Sequence, residues 1–86
     1  MRYILLIKKQ AKKVLQSLDR IDRNRIAEKI KLLGDNPDNP ILDIKPLQGQ
    51  PYYRLRVGQW RIIYDRDDEV KIIAIAKIKP RGGAYK

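Results

Sequence analysis

Tyr52-Tyr53-Arg54-Leu55-Arg56-Val57-Gly58-Gln59-Trp60-Arg61-Ile62-Ile63-Tyr64-Asp65-Arg66 is the stretch whose reading decides the fold. Residues 52–57 and 60–66 are two β-favouring runs separated only by Gly58-Gln59, the signature of a two-residue hairpin. Such a turn sets Val57 against Trp60, Arg56 against Arg61 and Leu55 against Ile62. Side chains alternate along a strand, so Leu55, Val57, Trp60, Ile62 and Tyr64 share the core face. Arg54, Arg56 and Arg61 share the other. Like charges directly opposite one another destabilise a sheet, so this trio calls for a compensating anion. Phosphate suits it, because each guanidinium fork can make paired hydrogen bonds to phosphate oxygens. The plainer alternative is a solvated open face.

Downstream, Val70 to Lys79 forms a third run, set off by an acidic turn around Asp67-Asp68 and apolar on both parities in its middle, which places it centrally in a sheet. Upstream, residues 35–51 carry Asn-Pro and Lys-Pro pairs and read as an ordered, non-helical crossover. Before it, Ile26, Ile30 and Leu33 form the buried stripe of a helix that Asp19 or Asp22 would cap and Gly34 would end. Ala11, Val14, Leu15 and Leu18 define a shorter amphipathic helix. Residues 2–9, Arg-Tyr-Ile-Leu-Leu-Ile-Lys-Lys, suggest a first strand. The order β-α-α-β-β-β predicts a single α+β domain over residues 1–86, with two helices packed on one face of a mainly antiparallel four-stranded sheet.

The charge narrows the partners. Twenty Lys and Arg against ten Asp and Glu give a formal net charge of +10 on 86 residues. That excess points to a polyanion, nucleic acid first and an acidic protein second. Cys and His are both absent, which removes disulfides and the usual zinc ligands. No metal or cofactor is expected, and the Asp65, Asp67, Asp68, Glu69 cluster reads as a turn. The apolar run Tyr3 to Ile7 is too short for a signal-peptide core or a membrane span, so the expectation is a cytoplasmic protein without a membrane partner.

The tail Lys79-Pro80-Arg81-Gly82-Gly83-Ala84-Tyr85-Lys86 adds a cation and an aromatic hydroxyl beyond the last strand. A base-stacking aromatic beside a phosphate-binding cation suits single-stranded RNA; a frayed basic tail is the alternative. Lys77 and Lys79 join the RNA-binding cations. Lys8, Lys9, Lys12 and Lys13 form either a solvated helix face or a steering patch for ribosomal RNA. Tyr52 shares the arginine parity and fits either a packing or a binding role. Trp60 and Tyr64 read as core.

Taken together, Leu47-x-Gly49, the run Tyr53 to Tyr64, the acidic turn and the closing Pro80-Arg81 with Tyr85 make the chain resemble the RelE/ParE toxin superfamily over nearly its whole length. The resemblance implies a toxin of a type II toxin–antitoxin system, a ribosome-dependent endoribonuclease cleaving messenger RNA, silenced by a cognate acidic antitoxin of the RelB type. It also implies roles. Arg54 and Arg56 occupy the basic pair that better-known members fill with lysines, Arg61 matches a phosphate-binding arginine, Arg81 one that stabilises developing charge, and Tyr85 a C-terminal tyrosine. Arginine holds its proton too firmly to act as a base, so the proton acceptor is left open. The ribose 2′-hydroxyl would be the nucleophile, with the arginines clamping the phosphate. Two other functions fit the same residues: a ParE-like inhibitor of DNA gyrase, and a non-enzymatic RNA-binding module.

Overall fold

A computed structural model describes residues 2–80 of the chain. Its elements run β1 (Ile4–Ile7), α1 (Lys9–Ser17), α2 (Arg20–Asp35), β2 (Asp43–Pro46), β3 (Tyr53–Val57), β4 (Trp60–Asp67) and β5 (Ile72–Pro80). The strands form one sheet in the order β1-β5-β4-β3-β2. All neighbours are antiparallel except β1 and β5, which run parallel. The expected α+β architecture holds, with one correction: the sheet has five strands. The crossover contains the short edge strand β2, bounded by Pro40 and Pro46. Pro46 is tolerated because it ends an outermost strand, where no further partner needs its missing N–H.

The hairpin has the register expected of a two-residue turn: Val57 opposite Trp60, Arg56 opposite Arg61, Leu55 opposite Ile62. Gly58 makes the turn possible by adopting φ +58°, a left-handed conformation that costs glycine little. The third strand-like run becomes β5, flanked by β1 and β4, while β4 takes the geometric centre. A register shift between Ile63 and Tyr64, where the β5 partner steps from Lys77 to Ile75, leaves Ala76 as the extra residue of a bulge.

One face of this sheet is closed by the helices. Ala11 of α1 and Ile26, Ile30 and Leu33 of α2 bury against Leu55, Val57, Ile62, Tyr64, Ile73, Ile75 and Ile78. Fully removing each Leu or Ile from water favours folding by about 1.5–3 kcal/mol. Trp60 packs on this cluster but stays only half-buried, its Nε1 donating to Asp22 Oδ2 at 3.4 Å. Tyr64 is fully buried and stacks on Tyr53, ring centroids 5.5 Å apart. Asp19 caps α2 by accepting the Asp22 N–H at 2.9 Å, while α1 has no side-chain cap.

Gly34 does not end α2, which continues to Asp35. It is buried where the helix crosses β1: its carbonyl accepts the Tyr3 N–H at 2.7 Å, and a Cβ there would lie 2.8 Å from Leu5 Cδ1. The acidic turn also does more than reverse the chain. Arg66 Nε donates to Asp68 Oδ1 at 2.9 Å, Arg66 Nη1 to Asp38 Oδ1 at 3.0 Å, and Tyr3 Oη to Asp68 Oδ1 at 2.8 Å. Lys71 and Arg66 both lie over the Tyr3 ring. This network ties β1, the α2–β2 connection and the β4–β5 turn together at the end of the sheet remote from the β3–β4 hairpin.

Two consequences can be measured. Gly34→Ala would gain about 1 kcal/mol of helix propensity, but the clash with Leu5 should outweigh it and lower the urea midpoint. Adding Leu5→Ala should then cost less than the two single changes imply; a Gly34→Ala chain more stable than the parent would contradict the close-packing role. The Arg66 hydrogen bond, and next the Tyr3 hydroxyl, hold the Asp68 carboxyl below its ordinary value near 3.8. A carboxyl with a depressed folded-state pKa stabilises the fold above its unfolded value, and the contribution disappears as pH falls through the folded one. Asp68→Asn should therefore lower the melting temperature at pH 7, and the loss should shrink as the pH falls below the ordinary carboxylate range; an equal loss at neutral and strongly acid pH would exclude the linkage.

Candidate functional site

The sheet face away from the helices gathers half of the side chains expected to carry function: Tyr52, Arg54, Arg56, Arg61, Lys77 and Lys79. Its residues follow from strand parity: Asp43 and Lys45 on β2, Arg54 and Arg56 on β3, Arg61, Ile63 and Asp65 on β4, Lys77 and Lys79 on β5. Tyr52, just before β3, joins this face. It lines a cleft of about 300 Å³ together with Leu47, Gln50, Arg61, Ile63, Ala76, Lys77 and Lys79. Its lining thus combines a tyrosine ring, the apolar Leu47, Ile63 and Ala76, and the cations Arg61, Lys77 and Lys79.

The arginines are not equivalent. Asp43 Oδ1 accepts from Arg54 Nη2 at 3.1 Å and Asp43 Oδ2 from Arg56 Nε at 2.9 Å. The compensating anion expected to be a bound phosphate is, for these two, a carboxylate of the chain itself. Arg54 is also sunk into the sheet, with only 13% of its side chain exposed, whereas Arg56 is half exposed. Arg61 has no ion pair or side-chain hydrogen bond among the described residues, and its Nε is buried without a partner. A buried donor left unmet costs about 1–3 kcal/mol. Arg54 Nε is likewise buried without a partner, but Arg54 and Arg56 both pair with Asp43, so among the described residues Arg61 is the guanidinium of the three whose charge is left for an incoming anion.

The pairings line four of these groups in one row across four strands: Asp43 opposite Arg56, Arg56 opposite Arg61, Arg61 opposite Lys79. Adjacent strands stand about 4.8 Å apart. Such a row is held by backbone hydrogen bonds, so its spacing does not depend on the charged tips.

Lys8, Lys9, Lys12 and Lys13 are exposed, but they belong to α1 and its N-terminal boundary, on the helix side of the sheet. They do not meet the arginine face. Arg81 and Tyr85 lie outside the described residues. Asp43 was missed from the sequence because it sits among prolines; the alternation Asp43-Ile44-Lys45, with one apolar residue between two charges, was the signal available. Ile63 and Ala76 were likewise absent from the expected site, since apolar residues on an open face carry no charge signature.

Known proteins share this fold. The sequence profile of the family described as the ParE toxin of type II toxin–antitoxin systems, parDE, matches residues 5–85. A protein of Methanocaldococcus jannaschii named as toxin RelE1 is 36% identical over 88 residues, covering 100% of this chain and 98% of its own length. An Escherichia coli protein named as RelE-like toxin is 31% identical over 81 residues, covering 94% and 85%. The fold matches the crystal structure of the archaeal RelE–RelB complex from Pyrococcus horikoshii with TM-score 0.84 and 38% identity, over 98% of this chain and 100% of that one. The matches therefore span every element of the fold, and the chain belongs to the RelE/ParE superfamily of toxins of type II toxin–antitoxin systems.

Proposed function

We propose that this toxin is an endoribonuclease that cleaves messenger RNA on the ribosome, without a metal, by attack of the ribose 2′-hydroxyl on the adjacent phosphate. The observation that carries the reading is Arg61: among the described residues its guanidinium has no ion pair, unlike those of Arg54 and Arg56, and it stands between Arg56 and Lys79 on an open sheet face. Fixed cations aimed at a phosphate stabilise the extra charge of a five-coordinate transition state, and they need no reorganisation when it forms. Tyr52 offers a ring beside them on which a base can stack. The chain has neither His nor Cys, and among the described residues no cluster of carboxylates could hold a metal ion, so the charge stabilisation falls to guanidinium groups.

Its action is in the cytoplasm, where ribosomes are found. Lys8, Lys9, Lys12 and Lys13 are free to face ribosomal RNA while the opposite sheet face holds the message. An acidic antitoxin of the RelB type restrains it. The net charge of +10 and the RelE–RelB pairing in the structural relatives support that partner.

A second reading has a specific observation behind it. The matching family is described by its ParE members, which makes gyrase inhibition the competing activity. A translation reaction with DNA supercoiling followed in parallel separates the two. Truncated message with supercoiling intact is the expected outcome; relaxed DNA with intact message would give the gyrase reading, and neither effect would leave a non-enzymatic RNA-binding module.

Arg61→Ala should lower the cleavage rate by roughly 100- to 1000-fold, as expected for one preorganised donor, while the melting temperature stays close to the parent's. Parental cleavage in this variant would contradict its phosphate role. With ribosomes pre-loaded with the magnesium they need, addition of a chelator should leave single-turnover cleavage unchanged. A rate restored by one particular divalent ion would contradict metal independence.

A further inference from the structure

An arginine-filled site has a cationic clamp but no obvious proton acceptor, and 2′-hydroxyl attack needs one. The row across the sheet supplies a candidate. Asp43 stands at one end, Arg56 and Arg61 fill the middle, and Lys79 closes the other end. In-line displacement places the attacking and leaving oxygens on opposite sides of phosphorus. A proton acceptor and a proton donor must then lie on opposite sides of the phosphate clamp, and this row has that polarity.

We propose that Asp43 is the general base of the cleavage reaction, with the Asp43–Arg56–Arg61–Lys79 row as its reaction axis. The proposal rests on the ribonuclease reading above. A phosphate held between Arg56 and Arg61 presents its ribose toward β2. The 2′-hydroxyl proton passes to the Asp43 carboxylate as O2′ bonds to phosphorus. The bond from phosphorus to O5′ breaks, and O5′ takes a proton from the Lys79 ammonium. The products are a 2′,3′-cyclic phosphate and a 5′-hydroxyl end; Asp43 then releases its proton to water and Lys79 regains one, so protons balance without a co-reactant.

Several features favour Asp43 over other groups. Its side chain is 42% exposed, so a ribose can reach it, unlike the sunken Arg54. Each of its oxygens accepts one hydrogen bond from an arginine, which leaves further lone pairs open. Arg56 within the row and Arg54 beside it hold the carboxylate in place, as an orienting partner holds a catalytic base. Asp65, the other carboxylate of this face, lies opposite Ala74 and four residues along β4 from Arg61, about 13 Å away at strand spacing. The charged groups facing Asp43 are Lys45 on its own strand and Arg54 and Arg56 on β3, with Arg61 and Lys79 farther along the row.

The test is single-turnover cleavage of a message in the ribosomal decoding site, from about pH 4 to 9, by the parent, Asp43→Asn, Asp43→Glu and Arg61→Ala. Binding is measured in parallel on a message with a 2′-deoxy residue at the scissile position. Asp43→Asn should cut roughly 100-fold or more slowly near neutral pH and lose the acid limb of the parent's rate profile. It should bind the deoxy message at least as tightly as the parent, since a negative charge has been removed. Asp43→Glu, which keeps the carboxylate, should recover much of the rate. Three results overturn the proposal. Asp43→Asn cutting at the parental rate would mean the proton goes elsewhere while the ribonuclease reading stands. A slower Asp43→Asn that keeps the acid limb and binds weakly would make Asp43 a positioning residue for the arginines. Failure of every chain to cut, the parent included, would remove the ribonuclease reading itself.

Discussion

Arg56 and Arg61 face each other across β3 and β4 because Gly58 and Gln59 permit a turn of only two residues. That pairing is unfavourable by itself: two guanidinium groups on neighbouring strands repel. It cannot relax by slipping, since a one-residue shift would turn Leu55, Ile62 and Tyr64 out of the core. The apolar face thus enforces the charge crowding on the polar face. Asp43 neutralises part of it through Arg54 and Arg56, and what it does not neutralise, at Arg61, Lys77 and Lys79, is the molecule's capacity to hold an anion. Hydrophobic register and phosphate affinity are consequences of one constraint.

The rest of the fold makes that face rigid. The helices cover only the other side of the sheet, and the network of Tyr3, Asp38, Arg66 and Asp68 locks the end remote from the hairpin. Arg66 stays fully charged because hydrogen bonds to Asp68 and then Asp38 push its pKa up, and burial pushes the Tyr64 phenol up, so neither changes state near neutral pH. A chain of this size has little core to spare. Its stabilising polar contacts are placed away from the open face, where cations without partners can be carried at modest cost.

The parts legible in the sequence were those set by period and turn chemistry. Alternation in residues 52–66 together with Gly58-Gln59 was enough for the hairpin register, the core parity and the meeting of Arg54, Arg56 and Arg61. An Asx residue before an apolar stripe narrowed the α2 cap to Asp19 or Asp22, and Asp19 holds it. What escaped depended on contacts distant in the chain. β2 is four residues long with Ile44 alone facing the core, too short for alternation to declare itself between prolines. Its Asp43 therefore entered no expectation, although it meets two of the predicted arginines. Gly34 occupies a position typical of a helix stop, yet its role is to let Leu5 approach, and nothing local in the sequence identifies that neighbour. Asp68 was read as a turn residue because its partners, Tyr3 and Arg66, come together only in the folded sheet.

The central claim is that the open sheet face, and not the lysine-bearing helix side, is where RNA lies. Titration of the ¹⁵N-labelled toxin with a short single-stranded RNA, 2′-O-methylated so that it cannot be cut, tests this by amide chemical shifts. The account requires the largest shifts at residues 52–56, 61–63 and 76–79, with α1 nearly unaffected. Shifts concentrated at Lys8, Lys9, Lys12 and Lys13, with the β3–β4 hairpin unmoved, would contradict it.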